Sequence, residues 1–361
     1  MKYYTGLASL LFFISICPAN KILFIRGGLN TGGFTYSGDN RHLCSIHDTS
    51  TAQGNLGWSE FADLLTKEGF APVEITEGDN TEGCDPALNK PCSKPVPLDT
   101  MDLSIYSVIV FGSNNSRYDS SAVEAVWNYV LNGGGALFIS DANFGRNWGD
   151  ASNSDQAFLT QFGLIMNQDN DLYTVERSSG DFLEANHPIL DSVNAFDGEG
   201  VTPLTVGTVP ENVTVTILTR AKKQIRKNDK FDGGTLINPG TKDATLVVAE
   251  AGKGRIAGFF DRNTFFNTNG GGSDIHKHDN ARLAKNLFTW LKREPETPLL
   301  RPLRTNKKSP FVFFHPGGPF FPKTAHQGSR LYTIQGQKLT PALLPKSGQS
   351  LSSGLYFFFN N

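Results

Sequence analysis

No apolar run in the 361-residue chain is long enough to serve as a stable membrane-spanning helix. A transmembrane anchor is therefore not expected. Charge of one sign is also missing: 33 Lys and Arg against 35 Asp and Glu leave a formal net charge of −2. That balance gives no electrostatic reason to expect a nucleic-acid partner. The one basic run, Arg220 to Lys230, reads as a solvated hairpin. Neither a P-loop nor a G-x-G-x-x-G fingerprint is present, which removes the two common phosphate cradles. Cysteine is scarce, with four residues at positions 17, 44, 84 and 92, too few for a disulfide-built scaffold.

What is present begins with an address. Lys2 precedes the apolar stretch Leu7 to Ile16, and Cys17-Pro18-Ala19 follows. A charged start, a short apolar core and a small residue make a signal peptide over residues 1–19. Ile16 is bulky where a lipoprotein processing site needs a small residue, so cleavage after Ala19 is expected. The mature chain is then secreted or held at the cell surface, and Cys44, Cys84 and Cys92 remain. Cys84 and Cys92 flank the proline-containing loop DPALNKP and form the expected disulfide, a loop staple. Cys44 is then left over, or takes one of those two as its partner.

With 39% hydrophobic and 19% charged residues, the remainder has a globular composition, enough for one large domain and a smaller one. KILFI (21–25), SVIVF (107–111) and ALFI (136–139) are near-continuous apolar strands, and Val73–Thr76 is a shorter one. Helices are expected over 55–70 and from Ser120 or Ser121 to Leu131, the second with Val123, Val126, Trp127 and Val130 inward. Gln156 to Phe162 also looks helical. Strands 213–218 and 244–250 suggest an antiparallel addition. The last unit is GRIAGFFDRNTFFNTNGGGSDIHKHDNARLAKNLFTWL, a strand, a polar glycine-rich loop and an amphipathic helix opened by Asp279 or Asn280. Buried strands alternating with helices predict an α/β fold, a mainly parallel sheet covered on both faces. This domain is expected over 20–294. Residues 295–328 are rich in proline and read as a linker, and 329–361 form a small C-terminal β domain.

Two resemblances sharpen this outline. The element order, GGGALFISD, and GKGRIAGFFDRNTF followed by HDNARLAKNLFTWL resemble the class I glutamine amidotransferase-like superfamily. That resemblance implies a flavodoxin-like sandwich. Active members carry a cysteine nucleophile on the turn after a central strand and a histidine after a later one. Here those positions hold Ser140-Asp141-Ala142-Asn143 and Asp261-Arg262-Asn263, so glutaminase chemistry is not implied. Ser140 lacks the glycines of a nucleophile elbow. The tail SRLYTIQGQKL…LSSGLYFF is similar to C-terminal sorting domains of type IX secretion cargo, which implies export and sorting machinery as partners.

Candidate chemistry gathers at strand ends: Arg26-Gly27, Ser113-Asn114-Asn115, Asp141 with Asn143, and Asp261-Arg262-Asn263. In a wound sheet these ends share one edge. Asn, Asp and glycine suit a neutral polyhydroxylated ligand such as a glycan, with no cofactor implied; the same residues also make ordinary turns and helix caps. The alternative is a carbohydrate or acyl hydrolase with Asp141 or Asp261 as general base. His276 and His278, with a carboxylate, are the candidate metal ligands of that alternative. His187, in NHP, reads as structural.

Overall fold

A computed structural model describes residues 20–27, 43–49, 56–79, 93–113, 116–139, 155–166, 172–221, 224–225, 244–268 and 272–292, and four strands further on. Two compact units divide the chain, Met1–Arg293 and Glu294–Asn361.

In the first unit the strands are β1 (Lys21–Arg26), β2 (Ala71–Thr76), β3 (Gly78–Asp79), β4 (Ser93–Lys94), β5 (Val108–Ser113), β6 (Gly135–Ile139) and β7 (Leu164–Met166). They continue with β8 (Leu172–Glu176), β9 (Ala195–Glu199), β10 (Leu204–Val206), β11 (Val213–Arg220), β12 (Gln224–Ile225), β13 (Ala244–Ala251) and β14 (Gly254–Phe259). The helices are α1 (Ser59–Lys67), α2 (Ser120–Leu131), α3 (Gln156–Thr160) and α4 (Asn280–Leu291). The main sheet runs β2-β1-β5-β6-β14-β13-β10-β7, with β11 also paired to β13. Its first five strands are parallel. Numbered among themselves in chain order they read 2-1-3-4-5, the flavodoxin-like winding. From β13 onward pairing is antiparallel. The fold class is therefore α/β with a mainly parallel sheet and an antiparallel extension. Short strands β8, β9 and β12 form a second sheet, and β3 pairs with β4.

Burial explains the winding. Ile22 and Phe24 of β1 join the core beneath α1 and α4, while Leu23 and Ile25 join the core beneath α2 and α3. Strands buried on both faces read as continuous apolar runs, which is why β1, β5 and β6 were legible. Phe61 of α1 stacks on Phe265 with centroids 4.6 Å apart and meets Phe288 of α4 edge-on at 5.5 Å. That packing pulls the loop after β14 into the core.

Several expectations are corrected locally. Helix α2 is capped by Asp119, whose Oδ1 accepts the Ala122 N–H at 3.0 Å, and not by Ser120 or Ser121. Residues 172–206, which carry no clear period, hold three short strands because each pairs with a distant partner. In the second unit, β15 (Phe311–His315) falls within the segment expected to be linker and pairs antiparallel with β18 (Gly354–Phe359). Strands β16 (Arg330–Thr333) and β17 (Lys338–Leu339) complete that four-stranded sheet. No described helix is long and apolar enough to cross a membrane. The signal segment, Cys84, Cys92, Asn114, Ser140, Asp141 and Asn143 lie outside the described residues.

Candidate functional site

The winding reverses between β1 and β5. The chain leaves β1 for α1 on one face and leaves β5 for α2 on the other. A crevice opens at the carboxyl ends of such strands, and ligands of open α/β sheets bind there. Arg26 and Gly27 end β1, Gly112 and Ser113 end β5, and Asp261 to Asn263 follow β14 along the same edge.

Asp261 is fully buried. Its Oδ2 accepts the Glu199 N–H at 2.6 Å and its Oδ1 accepts the Asn263 N–H at 2.9 Å. Asn263 Nδ2 donates back to the Glu199 carbonyl at 2.8 Å. Both side chains therefore fasten the β14 loop to β9. A general base has to reach water or substrate; Asp261 instead anchors two backbone groups. Arg262 is 2% exposed, and its carbonyl accepts the indole N–H of Trp58 at 3.3 Å.

A second buried carboxylate, Asp197 of β9, completes this fastening. Its Oδ1 accepts Ser273 Oγ at 2.6 Å and Asn280 Nδ2 at 3.0 Å, while its carbonyl accepts Thr264 Oγ1 at 2.7 Å. Asp279 stands at the N-cap position of α4, yet its carboxylate accepts the N–H groups of Asn194 and Ala195 at 2.7 and 3.2 Å. The two histidines separate: His276 Nε2 lies 2.7 Å from Glu60 Oε2, and His278 Nε2 lies 3.8 Å from Asp197 Oδ2. Among the described residues no three His, Cys, Asp or Glu side chains converge in a metal-binding group.

At β1 the guanidinium of Arg26 donates from Nε to Glu74 Oε1 at 2.8 Å, and Glu74 Oε2 accepts the Ile46 N–H at 2.9 Å. The pair is largely buried, with side chains 11% and 6% exposed. It ties the loop around Cys44 to the sheet.

Close to the ends of β1 and β5 lie residues that sequence reasoning missed. Glu77, which follows β2, is 2% exposed. Its N–H donates to the Arg26 carbonyl at 2.7 Å. Its carboxylate accepts the Ser116 N–H at 3.1 and 3.2 Å and the Tyr118 hydroxyl at 2.8 Å. Burial, then the Glu77 charge, push the Tyr118 phenol well above its ordinary range. From the other face the Trp58 ring lies against Gly112, where any Cβ would collide with the indole. Glycine is required there by close approach. Helix α1 has no side-chain cap from Trp58 at its own N-cap position. Asn267 caps it from the β14 loop instead, its Oδ1 accepting the Glu60 N–H at 2.9 Å. No short-range pattern marks Glu77, Asp197 or Asn267, because each partner lies 39 to 219 positions away.

No family model matches the chain, and no curated protein matches it either. Among solved structures it is similar to a cytoplasmic protein of Salmonella typhimurium, at 17% identity and a TM-score of 0.41, over 76% of this chain and all of that one. It is also similar to a ThuA-like protein of Parabacteroides merdae, at 13% identity and a TM-score of 0.40, over 77% of this chain and 94% of that one. A β-galactosidase of Bacillus circulans is similar at 11% identity and a TM-score of 0.39, over 94% of this chain and 41% of that one. Likeness of this degree carries no argument about activity.

Proposed function

We propose that the first unit is a non-catalytic binding domain whose ligand, a neutral polyhydroxylated molecule such as a glycan, docks at the carboxyl edge around the β1/β5 crevice. The observation that carries this reading is the 2-1-3-4-5 order of the parallel strands, which end together at one edge, where ligands of such sheets dock. The engagement of Asp261 by two backbone N–H groups argues against its use as a general base. Calorimetric titration of the full chain with a panel of neutral oligosaccharides tests it. Saturable binding is expected, lost in Asn114→Ala and Asn143→Ala with the melting temperature unchanged. Silence toward the whole panel, or steady hydrolysis of any member, overturns it.

The same reading includes an address. The N-terminal segment directs the chain across the inner membrane, and the β tail then directs it across the outer one to the surface or medium. A unit boundary at Arg293/Glu294 is compatible with a separable tail. A chain ending at Glu294 should melt at the temperature of the full chain and accumulate in the periplasm of its host. Arrival of that shortened chain in the medium would end the sorting reading.

A further inference from the structure

Helix α2 ends one residue before Asn132, and the chain then turns into β6 through Gly133 and Gly134. Gly133 takes φ +114°, and a Cβ on Gly134 would fall 2.2 Å from Tyr129 Cζ, so both positions are held to glycine. Exposed Asn132 therefore precedes a residue with no side chain to shield its peptide nitrogen. An asparagine in that setting can close on itself. The Gly133 nitrogen, its proton passed to a solvent base, attacks Asn132 Cγ; the new C–N bond closes a succinimide, and ammonia leaves from Cγ. Water then opens the ring at either carbonyl, giving aspartate or a β-linked isoaspartate.

The folded turn opposes this reaction. The ring is flat, so Cβ and the Gly133 nitrogen must eclipse about the Asn132 Cα–C bond. Asn132 has ψ 0°, which puts its own backbone nitrogen in that place instead. Rotation toward the reactive geometry has to break two bonds that close the helix end. The Gly133 N–H donates to the Val130 carbonyl at 2.9 Å and the Gly134 N–H to the Tyr129 carbonyl at 3.0 Å, a Schellman pair. Asn132 Nδ2, the leaving nitrogen, donates to the Asn128 carbonyl at 2.8 Å. The Tyr129 hydroxyl lies 3.1 and 3.2 Å from the Tyr106 and Gly135 carbonyl oxygens and pins the turn from beneath. We propose that Asn132-Gly133 is a latent self-modification site, kept as asparagine while the α2–β6 turn is closed and converted when the turn opens. Conversion replaces an amide donor by a carboxylate at a helix C-terminus, where the dipole disfavours negative charge. The isoaspartate form also inserts an extra carbon into the backbone ahead of β6, so a turn that has reacted does not close as before.

Hydroxylamine, which cuts a succinimide between its two residues, reads the site on the full chain. Fragments cut after Asn132 differ in mass from those cut after Asn269, whose Asn269-Gly270 is the other such pair in the sequence. Cleavage after Asn132 in buffer is expected to be at least about tenfold slower than in urea, because the rate follows the population of the open turn. Tyr129→Phe should speed cleavage in buffer and leave the rate in urea unchanged. Asn132→Gln should remove this fragment under both conditions. Equal wild-type rates in buffer and in urea overturn the proposal, as does the absence of cleavage in urea. So does a Tyr129→Phe chain that is cut in buffer no faster than wild type. The wild-type comparison depends on no variant's folding.

Discussion

Two stretches of the carboxyl edge bury carboxylates and put them to opposite use. At the end of β14, Asp261 and Asp197 accept N–H and O–H groups from β9, the β14 loop and the start of α4. These bonds join segments that share no short-range pattern, and the second sheet is held to the first by them. At the β1/β5 crevice, Glu77 accepts from Ser116 and Tyr118, beside the entry to α2. It joins the loop after β2 to the segment before α2, on the same sheet. Asp261 and Asp197 instead fasten two sheets together.

The comparison breaks most visibly at Asp261. Replacing it with Ala leaves the part-buried Glu199 N–H and the buried Asn263 N–H without their carboxylate partner. At about 1–3 kcal/mol for each unmade bond, urea denaturation should show a loss of about 3 kcal/mol or more. Glu77→Gln keeps an oxygen for Ser116 and Tyr118 and should lose only about 1 kcal/mol. If the two losses prove equal, the contrast between the two stretches fails. Asn267→Ala removes a helix cap together with side-chain bonds to the Asp48 carbonyl and Ser59 Oγ, should cost about 1–2 kcal/mol, and should raise amide exchange in the first turn of α1 before any other helix.

The smallest effect concerns pH. His187 lies 5.3 Å from the Trp290 ring, and its Nδ1 accepts the Ile189 N–H at 3.3 Å. Burial first, then the neighbouring Arg255 cation, hold its pKa below the ordinary imidazole value. The folded state thus prefers neutral imidazole. Its contribution is present above pH 6.5 and is lost as pH falls below it. Because the ring is half-exposed, the loss should be a few tenths of a kcal/mol, about what screened surface groups contribute. The difference in denaturation midpoint between pH 7.5 and 5.5 should shrink in His187→Gln. A wild-type midpoint that rises on acidification would contradict the assignment.

Much of the fold was legible. KILFI, SVIVF and ALFI are strands because two-sided burial forces apolar residues at every position, and α2 and α4 show a helical stripe. The polar stretch after β14 was also recognisable as a centre of organisation. Its roles were not. Asp261 and Asn263 read as ligand groups and turn out to bind backbone of β9; His276 and His278 read as a possible metal pair and face separate carboxylates. Glu77 was invisible, since nothing near it in the chain distinguishes it from an exposed glutamate.

Periodicity and apolar content, properties of a few neighbouring residues, thus determined by themselves that β1, β5 and β6 became strands and α2 and α4 helices, and that the sheet would be covered on both faces. Tertiary structure alone decided where each buried carboxylate finds its donors. A hydrogen bond needs a partner within about 3 Å, and here those partners come from residues as far as 83 positions along the chain for Asp197 and 41 for Glu77.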